Sequence, residues 1–218
     1  AYEIITSDWS SDVCSSDLDG TPAALYLKGR GLSPELFDAC PDLRYCPALP
    51  YWVTRDGHTA ACIGSYPAML AAIRTPDGTL QGLHKTYLQA DGRGGWRKFA
   101  GIHPDTGDPL PAKKMAARFA GSLKGAAVHL SPPDFQGRII AAEGIETALA
   151  AWQLFQTPAI AALSAHGLQA LQWPHGTQTL LVCADNDHSQ TGRKAAEALT
   201  HRAARAGIGN YQDRKSVV

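Results

Sequence analysis

The sequence predicts an α/β fold, with a parallel sheet in the C-terminal half preceded by a smaller α+β domain. Three observations predict it. From Arg138 to Arg205, strand-length apolar runs alternate with helix-length segments, the order that gives parallel strands with right-handed crossovers. The first half instead carries two strand signals around the turn Pro76-Asp77-Gly78, which reads as a hairpin. Acidic residues fall just past two of the C-terminal strands, where open parallel sheets place their sites.

The elements follow in chain order. Leu25 to Ala39 reads as a short helix, a glycine break and a second helix, the latter opened by Ser33 as N-cap and Pro34 at the first position. Pro41 to Trp52 is proline-rich and expected to be irregular. Ala68 to Arg74 and Leu80 to Leu88 form the hairpin, and Asp91 to Gly95 is a loop. Pro111 to Phe119 is expected to be helical, and Ala126 to Leu130 a short strand. In the second half, Arg138 to Ala142, Ala159 to Leu163 and Thr179 to Ala184 are strands. Ile145 to Phe155, Leu168 to Gln172 and Thr191 to Arg205 are helices, the last amphipathic with Ala195, Leu199 and Ala203 on one face.

Composition excludes several classes. Apolar residues are 44% and charged residues 18% of the 218, as in a chain with a real core. Net charge is zero, so any nucleic-acid argument has to be local. The five cysteines, Cys14, Cys40, Cys46, Cys62 and Cys183, include no CxxC pair. They read as reduced cytoplasmic thiols with no zinc ribbon, and no zinc is expected. Thr147 to Ala184 has no Asp, Glu, Lys or Arg, but Pro158 and Pro174 interrupt it. It reads as a buried α/β core, and no membrane partner is expected. Ser7 to Leu18 and Asp213 to Val218 look foreign or disordered. The expected organisation is therefore a disordered or artefactual segment 1–20, an α+β subdomain 21–130, a catalytic domain 131–212 and a tail 213–218.

Glu143 lies just past the first C-terminal strand, and Asp185 and Asp187 just past the third. Two acids one residue apart point the same way along extended chain. If the two strands are neighbours, three carboxylates converge and demand a cation. Hard oxygen ligands select Mg²⁺ or Mn²⁺, and the matching chemistry is phosphoryl or nucleotidyl transfer. Each acid has an ordinary reading too: Asp187 as a helix N-cap, and Glu146 as an acid in a helix's first turn.

EGIETALA (Glu143 to Ala150), followed by ADND (Ala184 to Asp187) and Gly192, resembles the Toprim signature, and the spelling is similar to Toprim primases and primase–helicases of phages and integrative elements. The resemblance spans Arg138 to Gly209. It implies a Rossmann-like Toprim sheet, Glu143 as general acid or base, and Asp185 and Asp187 holding Mg²⁺, with Glu146 and Asn186 as auxiliaries. The segments YLKGRGL (Tyr26 to Leu32), LRYCP (Leu43 to Pro47), DGTLQGLHKTYLQADG (Asp77 to Gly92) and KKM (Lys113 to Met115) are similar to what precedes Toprim in those proteins.

That first half carries a local charge bias. Between Lys85 and Lys124, eight basic residues stand against three acids, a footprint for phosphate. Arg30, Lys85, Lys98, Lys113 and Lys114 are the candidate nucleic-acid and nucleotide contacts, and Trp96 and Tyr87 the candidate stacking platforms. The implied function is a Mg²⁺-dependent primase of a mobile genetic element. It would act on single-stranded DNA and nucleoside triphosphates, with a replicative helicase as partner or fused domain. The alternatives are a Toprim nuclease and a non-catalytic DNA-binding remnant.

Two departures from the family stand out. There is no zinc ribbon, and the chain stops soon after the DxD strand and its helix, where the Toprim sheet normally gains another strand. Both imply weak or absent activity for this chain alone. No P-loop is present, and His188 beside the DxD reads as a loop histidine. Ser164 and His166 in LSAHG lack a GxSxG elbow and do not form a nucleophile pair.

Overall fold

The computed structural model describes residues 16–55, 58–184 and 191–213. Two short helices come first: α1 (Pro22–Lys28) and α2 (Pro34–Asp38). The Thr21 hydroxyl accepts the Ala24 N–H, and Pro22 supplies the first helical position of α1, which satisfies one otherwise orphaned donor and leaves none at Pro22. Ser33 has the extended N-cap conformation without a side-chain cap bond; its hydroxyl instead bonds the Glu35 carboxylate.

Five antiparallel strands follow: β1 (Leu43–Arg55), β2 (Thr59–Arg74), β3 (Leu80–Ala90), β4 (Trp96–Lys98) and β5 (Lys113–Ala117). Their order is β1-β2-β3-β4, with β5 also pairing β3. Two expectations are corrected here. The proline-rich stretch 41–52 is not irregular but lies largely in a 13-residue strand. It tolerates its prolines because β1 is at the sheet edge and its register slips between Cys46 and Leu49 and again between Pro50 and Trp52, where a missing N–H costs no ladder bond. Residues 111–119 are not helical either: Lys113 to Ala117 pair with Thr86 to Gly82 of β3. Five helix-tolerant residues are too few to hold a helix against a waiting strand.

The second sheet has the order β10-β9-β7-β8-β6. It contains β6 (Val128–His129), β7 (Arg138–Ala142), β8 (Ala159–Ala161), β9 (Thr179–Cys183) and β10 (Gly209–Asp213). All neighbours are parallel except β6 on β8. The helices α3 (Ile145–Phe155), α4 (Ala165–Ala170) and α5 (Thr191–Arg205) lie between the strands in sequence. Strand β7 is buried on both faces. Ile140 and Ala142 join the core with α1, α2, α3 and β2, while Ile139 and Ala141 join the core with α4 and α5. This is why RIIAA reads as a continuous apolar run rather than an alternating one. Each fully buried isoleucine contributes about 1.5–3 kcal/mol.

The expected lack of a further strand is also corrected. Strand β10 pairs in parallel with β9, Gly209 against Thr179 through Asp213 against Cys183. Its sequence, Gly-Asn-Tyr-Gln-Asp, has no apolar alternation. An edge strand of this kind is specified by the backbone groups its neighbour presents. Nearer the N-terminus, Leu18 is buried in the main core and Ser16 bridges Tyr45. Among the described residues, no helix is long and apolar enough to cross a membrane. Among the described residues, Cys40, Cys46, Cys62 and Cys183 form no disulfide.

Candidate active site

Strands β7 and β9 are neighbours in register, with Ala142 opposite Cys183. Glu143 is thus the first residue past β7, half-buried, while β9 runs out at Ala184, immediately before Asp185. Asp185, Asn186, Asp187 and His188 lie outside the described residues. Among the described residues, no three His, Cys, Asp or Glu side chains gather as a metal site. Glu143 leads directly into Gly144, the N-cap of α3.

In the first turn of α3, Glu146 is the electrostatic centre of the described site. Its side chain is 6% exposed, yet it is surrounded by donors. Lys113 Nζ donates to Oε2 at 3.0 Å, Lys98 Nζ lies 3.1 Å from Oε1, and the Tyr26 hydroxyl donates to Oε1 at 2.8 Å. Burial pushes the carboxyl pKa up, but the charges of Lys113 and Lys98, with backbone and Lys113 hydrogen bonds, outweigh it and hold the group well below the usual carboxylate range. The Tyr26 hydroxyl is pushed far up, first by its own burial and then by the Glu146 charge, so it remains a donor. Arg30, exposed just beyond α1, acts on Tyr26 in the opposite sense.

Strand alternation sorts the remaining candidates. Along β3, His84, Thr86 and Leu88 share one face, and Leu83, Lys85 and Tyr87 the other. Lys113 stands opposite Thr86, and Lys98 opposite Leu88, so both lysines lie on the face that meets Glu146. Lys114 stands opposite Lys85 on the other face. There its ammonium sits 4.3 Å over the Tyr51 ring and donates to the Trp52 carbonyl. Lys85 itself is buried. Tyr87 is no stacking platform: it is 1% exposed, 4.6 Å from the Tyr51 ring, with its hydroxyl on the Pro50 carbonyl. Trp96 is half-buried against the main core. Ser164 is the N-cap of α4, its hydroxyl accepting the Gly167 N–H at 2.9 Å.

Sequence reasoning missed Tyr26 and His84. His84 is buried on the Lys113 face, and burial, then the Lys113 charge, carry its pKa down to about 4. It is therefore a neutral imidazole at neutral pH. The alternation of β3 was the available signal, since it places His84 opposite in facing to the more conspicuous Lys85.

The parallel sheet of the C-terminal half is a Toprim domain. Residues 138–211 match the Toprim domain. Residues 13–130 match the family described as a domain of unknown function, DUF7146, and the chain belongs to that family. No curated protein matches the sequence. Among solved structures, the zinc-binding and RNA polymerase domains of the Aquifex aeolicus primase align over 93% of this chain and 52% of theirs, with 17% identity and a TM-score of 0.55. The E. coli primase catalytic core aligns over 92% and 69%, with 19% identity and a TM-score of 0.52. A DnaG primase catalytic domain bound to single-stranded DNA gives 92% and 70%, 19% and 0.52. The chain thus spans about half of the Aquifex structure and some 70% of the other two. What these likenesses establish is the fold.

Proposed function

We propose that this chain is the catalytic part of a Mg²⁺-dependent, primase-type nucleotidyltransferase that makes primers on single-stranded DNA, in the setting of a mobile genetic element. The observation that carries the reading is the register of β7 and β9, which sets Glu143 beside the strand end that leads into Asp185 and Asp187. Lys113 and Lys98 are gathered three residues further on, around Glu146. The donor set fits Mg²⁺, or Mn²⁺: three carboxylates and no sulfur or imidazole among the named ligands. Glu143, Asp185 and Asp187 would hold the ion, which supplies charge neutralisation at the phosphates.

The reaction joins a primer 3′-oxygen to the α-phosphorus of a nucleoside triphosphate and releases pyrophosphate. Glu143 accepts the hydroxyl proton as general base. Lys113 and Lys98, each more than a third exposed at the side chain, reach phosphate oxygens from the side of the N-terminal sheet. Arg30, exposed beyond α1, remains a candidate template contact, whereas Lys85 is buried and Lys114 faces the Tyr51 ring on the other face of the sheet. A DnaG primase domain was solved with single-stranded DNA, which supports that substrate. A helicase partner, in the same or another chain, follows from the primase reading.

The test is primer synthesis on mixed-sequence single-stranded DNA with labelled nucleotides and Mg²⁺ or Mn²⁺, comparing wild type with Asp185→Asn. Products that vanish in the variant are expected. Template degradation in place of synthesis, abolished by the same change, would replace this reading with a Toprim nuclease. Neither activity would leave a DNA-binding remnant.

A further inference from the structure

A cavity of about 430 Å³ opens where the two sheets meet. Ile73, Met115 and Ala117 of the N-terminal sheet and Leu123, Ala162 and Leu163 line it. The volume lies within the range of small-molecule sites, roughly 300–1,000 Å³. Its lining is mostly apolar, and exposed Lys124 and His166 stand at its rim.

Two lines of structure tie this cavity to the candidate active site. The first is β8. Its end is in register with that of β7, and the Ala162 N–H donates to the Ala142 carbonyl at 2.9 Å. The cavity wall at Ala162 therefore lies one strand spacing from Glu143, about 4.8 Å. The second is β5. Lys113, Met115 and Ala117 alternate onto one face of that strand, so the cavity begins about 7 Å along β5 from the lysine that holds Glu146. One strand thus carries the lysine paired with Glu146 at one end and an apolar wall at the other.

The wall past β8 is also built rather than incidental. Leu163 adopts a left-handed backbone, φ 69°, a conformation disfavoured for a residue with a side chain. Gly167 holds the turn: a Cβ there would lie 2.0 Å from the Ala162 carbonyl oxygen. Strain of this sort persists where the surroundings over-determine it, commonly beside a ligand site. The segment is LSAHG, which the catalytic reading leaves without a role.

We propose that this cavity is the nucleobase subsite of the nucleotide whose phosphates meet Glu143 and Lys113. The inference rests on the nucleotidyltransferase reading and adds where the base goes. Apolar side chains would sandwich the ring, and His166 and Lys124 would reach its polar edge or the sugar. With so few polar groups in the lining, the subsite discriminates weakly among the bases.

The chain has two methionines, Met69 and Met115. Met69 is 1% exposed in the main core, so the pair provides a probe and an internal reference. The experiment is methyl NMR of the methionine-labelled full chain with Mg²⁺, titrated with ATP or with inorganic tripolyphosphate, alongside calorimetry of both. The expected result is a Met115 methyl shift with ATP, none with tripolyphosphate, and an unmoved Met69. Filling the cavity with Ala170→Trp should weaken ATP binding at least tenfold and leave tripolyphosphate binding unchanged. If that variant displaces the Met69 signal, its core is altered and the wild-type titrations decide.

ATP that binds without shifting Met115 would overturn the proposal, as would equal Met115 shifts from ATP and tripolyphosphate. No ATP binding at all would overturn it together with the reading beneath it. Primer synthesis with an unresponsive Met115 would remove the base subsite and leave nucleotidyl transfer standing. A responsive Met115 without primers would do the reverse.

Discussion

Glu146 is a buried carboxylate that stays ionised because two ammonium groups and a phenol are aimed at it. In return it holds Lys98 and Lys113 together against their mutual repulsion, which makes it a positioning residue for the proposed phosphate contacts. Glu146→Gln should cost about 1–3 kcal/mol at pH 7, since it leaves the two lysines with a weaker partner. The sign of the pH dependence follows from its depressed pKa. The stabilisation is fully present above the unfolded carboxylate pKa, about 4.3, and is lost as pH falls toward the lower folded value. Urea unfolding of wild type and Glu146→Gln at pH 7 and pH 3 checks this: the gap should shrink at pH 3. A gap of constant size would mean that the carboxyl pKa is not depressed.

At the scale of the element, β3 and β5 decide which basic residues can act together. The sequence makes Lys113 and Lys114 look equivalent. Extended backbone turns them to opposite faces, one to Glu146 and the other to the Tyr51 ring. Lys113→Ala is expected to lower primer synthesis by roughly a hundredfold, the scale of losing one oriented donor to a developing charge. Lys114→Ala should change stability by about 0.5–1 kcal/mol through the lost cation–π contact. Equal losses of activity in the two variants would show that the faces are not functionally distinct. Strand β1 teaches a related lesson about prolines. Pro47 and Pro50 broke the strand reading in the sequence, yet an edge position with register slips accommodates both.

For the whole molecule, the main core joins the two sheets rather than serving either alone. It unites Tyr26 and Leu27 of α1, Met69 and Ile73 of β2, Ile140 of β7 and Leu149 of α3. The described residues of the N-terminal half, from Leu18 on, and the Toprim domain therefore share one body of buried apolar surface. Unfolding should be a single cooperative transition. Far-UV circular dichroism and tryptophan fluorescence, with Trp96 and Trp52 in one half and Trp152 and Trp173 in the other, should give coincident urea midpoints. Two separated midpoints would refute a shared core.

The sequence by itself determined the parallel βαβ series from Arg138 onward, the helix bounds of α3 and α5, and Glu143 at a strand end. Those features rest on local period, and a buried parallel strand or an amphipathic helix announces itself in the chain. The tertiary structure alone decided that residues 113–117 are a strand, that β10 completes the sheet, and that Lys113, Lys98 and Tyr26 converge on Glu146. Each of these depends on a partner far away in sequence. A short strand with neutral propensity takes its conformation from the edge it meets, and a buried charge takes its meaning from the charges that other elements bring to it.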